Sequence, residues 1–230
     1  MTAPASTQSL NAAGEFVRGQ SSFRSVLNED PDFPAEPGRY HLLVALNCPW
    51  CHRVTLARSL LGLTETLSLD VAFPNRTGDD DPAGEGLWEF NPSRIATLTG
   101  APLPECTEET ATGRHLRIAK DLYEAEGSPE KSLPVLFDKK TQRIVSNESA
   151  EIVRMLNACA GALGSSLEGD ARPDFYPGGA GDGALREEID GLNQAIYVNI
   201  NNGAYKAGFS SDQAIYAAAF EAYFAALARL

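Results

Sequence analysis

The stretch "YHLLVALNCPWCHRVTLARSLLGL", residues 40–63, constrains this chain more than any other. Tyr40–Leu46 is apolar apart from His41, the pattern of a buried strand. Pro49 follows Cys48 and suits the first position of a helix, where its missing N–H costs nothing. Leu56, Leu60, Leu61 and Leu63 are expected to form the helix's core stripe, ending at Gly62. "LSLDVAF", Leu67–Phe73, reads as a second buried strand. Strand, helix and strand in this spacing make a βαβ unit, and Cys48 falls at the junction where the first strand becomes the helix.

The rest of the chain is read outward from that unit. Residues 1–38 are polar, end in "DPDFPAEPG", and are expected to be an irregular lead-in. A long insert, Pro74–Glu105, is rich in Gly, Asp and Pro and carries "GLWEF"; loops of that length in compact domains are often functional. "EETATGRHLRIAKDLYEAEG", residues 108–127, reads as a second helix stopped by Gly127. "LPVLFD" and "RIVS" read as two short strands around the turn "DKKTQ". "NESAEIVRMLNACAGALG" then reads as a helix with Asn147 as N-cap, Glu148 and Glu151 in its first turn, and Ile152, Met155, Leu156 and Cys159 on one face. Residues 165–182 are a Gly/Pro-rich linker. The remainder is helical with a break near "NNGAYKAGFSS", and its last helix presents Ile215, Ala218, Ala219, Ala222 and Phe224 on an apolar face.

Composition excludes several classes. The formal net charge of −12 argues against nucleic acid, whose phosphates need concentrated Lys and Arg. The mild basic clusters, Arg114–Arg117 and Asp138–Lys140, read as solvated faces. No apolar run approaches the ~18 residues of a membrane span. The start lacks the charged and apolar segments of a secretory signal, although its Ser/Thr/Ala content leaves organelle targeting open. Four cysteines in 230 residues are no disulfide scaffold, so a reducing, cytoplasmic setting is expected. A metal site is not expected: there is no second C-x-x-C, and His41, His52 and His115 show no paired spacing.

Three positions carry chemistry. Cys48 sits where the positive end of a helix stabilises a thiolate. Cys51, one turn on, could reach it as a resolving thiol, or both could be small buried hydrophobes. In "SLPVLFD", a proline opening a strand is expected at a sheet edge. With Leu133–Pro134 cis, the Leu133 N–H and C=O would face outward to pair with an extended peptide; an ordinary strand-opening proline is the plainer alternative. In "SNESAE", Glu148 could receive an ammonium, while Ser149 and free helix N–H groups could receive a carboxylate; simple capping explains the same residues. A thiolate, a peptide-pairing edge and an amino-acid clamp together describe a glutathione site on a thioredoxin-like fold.

The motifs "CPWCHRV", "LPVLFDKKTQRIVSNESAEIVRML", "IDGLNQAIY" and "NNGAYKAGF" resemble the glutathionyl-hydroquinone reductases, the Xi-class, omega-like glutathione transferases. The resemblance runs from about Phe33 to the end of the chain. It implies an α/β thioredoxin-like N-terminal domain, an all-α C-terminal domain, a homodimer, and no metal or cofactor beyond glutathione as co-substrate. The domains then read as a lead-in at 1–38, a glutathione-binding domain at 39–164, a linker at 165–182, and the start of the helical domain at 183–230. Family members continue well past this point, so the helical domain is expected to be truncated.

The resemblance implies that Cys48 is the catalytic cysteine, with Leu133 and Pro134 as the peptide-pairing site and its cis-proline. It makes Glu148 and Ser149 the γ-glutamyl clamp, and sets Tyr205 near the substrate oxygen or sulfur. Trp88 matches a tryptophan that covers glutathione, although Leu87 stands where the family has a glycine. Arg94 is the candidate for an arginine that helps bind glutathione. The implied activity removes glutathione from glutathionyl-hydroquinones through a Cys48–glutathione mixed disulfide. Cys51 departs from the family, which usually has alanine there, and keeps open a glutaredoxin-like thiol transferase using both cysteines. A non-catalytic glutathione-binding protein is the third reading. Cys106 and Cys159 are expected to be inert.

Overall fold

A computed structural model describes residues 8–101, 103 and 116–230. Its internal contacts divide the chain into two units. One is Ser21–Phe175; the other joins Met1–Gln20 to Tyr176–Leu230. The expected lead-in is therefore split between them, and it is not wholly irregular. Strands β1 (Gln8–Leu10) and β2 (Phe16–Arg18) pair as an antiparallel ribbon, turning at Gly14, whose φ of 83° favours a residue without a Cβ.

The larger unit is built on the βαβ motif. β3 (Tyr40–Val44) leads through α1 (Pro49–Leu60) to β4 (Ser68–Val71), and the two strands run parallel, with His41 opposite Ser68 and Val44 opposite Val71. Among the described residues two further helices follow, α2 (Pro92–Thr99) and α3 (Lys120–Ala125). The hairpin of β5 (Val135–Asp138) and β6 (Arg143–Ser146) completes the sheet, and α4 (Ser149–Cys159) closes the unit. The sheet order is β4-β3-β5-β6, with β5 antiparallel to both of its neighbours. This mixed sheet with α1 packed beside α4 is the thioredoxin-like arrangement.

Several expectations change in detail. Leu56 and Leu60 are exposed; the buried face of α1 is Cys51, Val54, Ala57 and Arg58, a run at helical spacing that starts from the cysteine rather than from the leucines. Pro134 does not mark an edge. β5 is an inner strand, and Pro134 stands just before its first paired residue, Val135 opposite Leu43, so no ladder bond is lost. The insert holds α2, which opens with Asn91 as N-cap and Pro92 at the first position, an N-cap and proline signal in "NPSR". The described part of the second helix is Lys120–Ala125, and Ile118 before it is tied to Glu89 as a β-bridge. Residues 104–115, with Cys106, lie outside the described residues.

α4 starts one residue later than expected. Glu148 is the cap, its carboxylate accepting from the Ala150 N–H at 3.2 Å. Asn147 is instead a buried hub. Its amide donates to Glu130 and Tyr123 at 2.5 and 3.2 Å, and its oxygen accepts from the Phe23 N–H at 3.3 Å. The expected apolar face of Ile152, Met155, Leu156 and Cys159 is buried.

The second unit is helical beside its ribbon. α5 (Gly183–Ile196) passes through a π-type turn at Tyr197–Asn201 into α6 (Asn202–Phe209). The glycines of "NNGAYKAGF" do not break it. Gly203 is where α6 meets its neighbour, since a Cβ there would come within 3.2 Å of the Tyr223 ring. The break comes at Ser210–Asp212, before α7 (Gln213–Leu227), which Asp212 caps by accepting from the N–H groups of Ala214 and Ile215. Tyr216, Phe220 and Phe224 lie exposed along α7, so Phe224 is not on its packed side. Among the described residues no helix is long and apolar enough to cross a membrane.

The hairpin end of the sheet is held by a buried ion pair. Arg39 donates to both Asp138 oxygens, at 3.0 and 2.5 Å, and Thr141 and the Lys140 N–H also donate to that carboxylate. Burial works to raise the Asp138 pKa, but these donors outweigh it and hold the carboxyl below its ordinary range. Because the folded value lies below the unfolded one, about 3.9 for Asp, the stabilisation is complete above that pH and fades as pH falls through the folded value. Asp138→Ala is expected to cost about 3 kcal/mol by chemical denaturation at pH 7, since it leaves a buried guanidinium with only Glu36 and the Asp32 carbonyl as partners. Arg39→Met with Asp138→Leu is expected to cost clearly less than the single change.

Candidate active site

Cys48 occupies the N-cap position of α1 in an extended conformation, with Pro49 as the first helical residue. Its own N–H donates to Ala45 O at 3.0 Å, which fixes the turn out of β3. The sulfur is buried and faces the Leu133 carbonyl at 3.9 Å. Leu133–Pro134 is cis. The strand end, the helix start and the loop before β5 therefore meet at one thiol.

The two cysteines are electrostatically unequal. The Cys48 pKa falls to about 6, chiefly because the Cys51 thiol donates a hydrogen bond to it; burial opposes this, and the Cys51 and Trp50 N–H groups and the Arg76 charge assist. Cys51 is wholly buried, and its pKa is pushed up strongly, first by that burial and then by the neighbouring Cys48. One sulfur is a thiolate at neutral pH, and the other keeps its proton and points it at the first. A thiolate is the form that attacks sulfur or carbon.

The acidic clamp stands at the start of α4. The Glu148 carboxylate caps Ala150 and accepts from the Ser21 hydroxyl at 3.3 Å. Ser149 is buried, and its hydroxyl accepts from Arg53 Nε and Nη2 at 3.1 and 2.6 Å. Arg53 also lies 3.6 Å from Glu148 and 4.9 Å above the Trp50 ring. The sequence reading missed Arg53. It lies five residues after Cys48, so one helix start delivers both the thiolate and a guanidinium to the clamp. A carboxylate beside a guanidinium and a hydroxyl is the complement of an α-amino acid carrying both charges.

Trp88 is buried. Its carbonyl accepts from the Ala119 N–H at 2.9 Å, and the Arg76 guanidinium lies 3.4 Å from its ring centroid. Arg94 is engaged with Glu89 and stacks 3.9 Å over Phe73. Tyr205 belongs to the helical unit. It joins Phe16 and Phe209 in a cluster of three rings, 5.7 and 5.9 Å from them, with Arg18 4.3 Å above its ring and that arginine bonded to Asn202 at 2.6 Å. Cys159 is buried, accepts from the Asn28 amide at 3.6 Å, and has its pKa raised by burial. Among the described residues no group of three or more His, Cys, Asp or Glu side chains gathers as a metal site would require.

A thioredoxin-like sheet, a helix-capping thiolate and a Glu–Ser clamp followed by helices are the architecture of a glutathione transferase. A family model described as "Glutathione S-transferase, N-terminal domain" matches residues 47–159. The chain is 38% identical over 229 residues to the glutathionyl-hydroquinone reductase YqjG of Escherichia coli, covering 96% of this chain and 62% of that protein. It is 35% identical over 217 residues to the glutathionyl-hydroquinone reductase PcpF of Sphingobium chlorophenolicum, covering 91% and 58%. The Xi glutathione transferase of Phanerochaete chrysosporium superposes with a TM-score of 0.75 at 35% identity, over 96% of this chain and 64% of that one. The glutathione-bound structure of YqjG gives 0.71 at 38% identity, over 90% and 62%. The chain thus spans about three fifths of the length of these relatives. Residues 47–159 thus match the N-terminal domain of the glutathione S-transferases, and the chain is similar to the Xi-class glutathione transferases and to the glutathionyl-hydroquinone reductases.

Alkylation of Cys48 by iodoacetamide is expected to accelerate as pH rises through a midpoint of about 6. Cys51→Ala removes the S–H donor and is expected to raise that midpoint by about one unit, still below the ordinary thiol value of about 8.5 because the helix N–H groups remain.

Proposed function

We propose that the protein removes glutathione from glutathionyl-hydroquinones through a mixed disulfide on Cys48. The observation that carries this reading is the pairing of a low-pKa Cys48 with a proton-holding Cys51, at the start of the helix that also carries Arg53 to Ser149. In this reading Glu148 takes the α-ammonium of the γ-glutamyl end. Ser149 and Arg53 take its carboxylate, and the Leu133 backbone pairs with the cysteinyl residue.

The Cys48 thiolate attacks the sulfur of the aryl thioether. A Cys48–glutathione disulfide forms as the carbon–sulfur bond breaks, and the bonding pair leaves on the ring carbon. A carbanion there is a poor leaving group, so the ring carbon must receive a proton, either directly or after tautomerising to a ketone. Tyr205 is the residue we assign to supply or organise that proton. A second glutathione thiolate then attacks the mixed disulfide, which releases oxidised glutathione and restores the Cys48 thiolate, giving ping-pong kinetics.

A glutaredoxin-like dithiol cycle would need Cys51 to attack the mixed disulfide. Its complete burial and raised pKa favour the one-cysteine route, because attack requires the thiolate.

Mass spectrometry after brief exposure to glutathionyl-menadiol, without free glutathione, tests the proposal. The expected result is one glutathione on Cys48 with hydroquinone released. Cys48→Ser is expected to lose both. A Cys48–Cys51 disulfide with released glutathione would select the dithiol cycle, and no reaction, with glutathione still bound, would select a binding protein. Arg53→Gln is expected to raise KM for the conjugate about tenfold with little change in kcat, as loss of one charged contact to a carboxylate would.

A further inference from the structure

The proposed glutathione site has two parts on different elements, and this inference rests on the reading that glutathione is the ligand. One part is the Leu133 backbone, just before β5; the other is the Glu148–Ser149 clamp, just after β6. The sheet registers the first part to the thiol's strand, because Val135 pairs with Leu43 of β3. It does not register the second part to the first. The β5–β6 ladder ends with Leu136 opposite Ser146, and its register already shifts between Leu136 and Phe137. Leu133 and Glu148 lie beyond that last pair, where the ladder no longer sets their separation.

Side chains take over at that point. The Asn147 amide donates to Glu130 Oε2 at 2.5 Å, to the Tyr123 hydroxyl at 3.2 Å and to Ser132 Oγ at 3.4 Å. Its oxygen accepts from the Phe23 N–H at 3.3 Å. Tyr123 in turn donates to Ser132 O at 2.9 Å, and burial raises its pKa, so the hydroxyl keeps its proton. Ser132 is the residue before Leu133, and Asn147 is the residue before Glu148. The other Glu130 oxygen accepts from the Ser22 N–H at 3.0 Å, and the adjacent Ser21 hydroxyl donates to Glu148 at 3.3 Å. Tyr123, Glu130 and Asn147 are all buried. Helix capping does not account for this hub, because Glu148 already caps α4.

We propose that Asn147 is a positioning residue, which fixes the Glu148–Ser149 clamp at the separation from the Leu133 edge that a single glutathione spans. A primary amide suits the place, since it offers donors at one end and an acceptor at the other. Here the donors meet a carboxylate and two hydroxyls, and the acceptor meets a backbone N–H. A ligand that engages both parts gains over its separate pieces only while the two parts are held at the right spacing. Asn147 acts through the residues on either side of the gap. Loosening it leaves each part able to hold its own piece of the ligand and removes the gain from joining them. In the sequence Asn147 reads as an N-cap, and nothing in the spacing connects it to residues 123, 130 and 132.

The test measures how strongly a ligand protects Cys48 from iodoacetamide. It compares S-methylglutathione with N-acetyl-S-methylcysteinylglycine, which lacks the γ-glutamyl end. In the wild-type chain the tripeptide is expected to protect at a concentration about a hundredfold lower than the fragment. Asn147→Ala is expected to weaken the tripeptide about tenfold and the fragment less than about twofold, with the alkylation rate in the absence of ligand unchanged. Glu130→Gln keeps the side chain's shape but sets one N–H group against another. It is expected to give the same signature, so the test does not depend on Asn147→Ala folding. Asn147→Asp combined with Glu130→Gln exchanges donor and acceptor across the pair, and is expected to restore protection to within about twofold of the wild type. Equal weakening of both ligands, a changed rate without ligand, or no recovery in the exchanged pair overturns the proposal. Protection reports binding alone, which separates this role from the reductase reading. If protection follows the expected pattern but no conjugate is cleaved, the positioning role stands and the reductase does not. If S-methylglutathione fails to protect the wild-type chain, both fall.

Discussion

The turn from β3 into α1 is the constraint on which the site depends. Val44 ends a strand that is hydrogen-bonded on both sides, and Pro49 starts a helix four residues beyond Ala45. Cys48 must therefore cap that helix. Its sulfur meets N–H groups that no intrahelical carbonyl can use, and it meets the proton of the residue one turn on. Burial alone would raise a thiol's pKa; here directed donors outweigh it. Cys51 shows the opposite balance three residues away, where burial dominates.

The same geometry distributes charge on the two sides of the thiol's turn. α1 carries Arg53 to Ser149 and Glu148 on the β6 side, and the segment after β4 carries Arg76 to Trp88 on the other. The acidic chain thus concentrates cations beside the thiolate while its acidic groups near the site are capped or paired. Asp81 and Glu89 are held by arginines, and Glu148 by a helix N–H, a serine and Arg53.

In the helical unit, the N-terminal ribbon adds a third arginine. Arg18 bonds Asn202 and lies over Tyr205, and Phe16 packs against the same ring. Residues from the start of the chain thus shape the surroundings of a tyrosine near its end, which no local reading of "NNGAYKAGF" could have suggested.

Much of this was legible in the residue order. The βαβ unit, the hairpin, the buried face of α4 and the candidates Cys48, Leu133, Glu148 and Ser149 follow from local periodicity, proline placement and capping, each of which acts within a turn or a strand. The faces of α1, the inner position of β5, the helix hidden in the insert and the hub at Asn147 were decided by which surfaces came to lie together. Leu56 and Leu60 are as apolar as Leu61, but only Leu61 meets the core. The pKa difference between Cys48 and Cys51 arises within one helical turn, from a hydrogen bond between the two thiols and from the deeper burial of Cys51, which only the tertiary structure decides. The contacts of Arg53 with Ser149 and of Arg76 with Trp88 join segments apart in the chain, and spacing along a sequence carries no information about those distances.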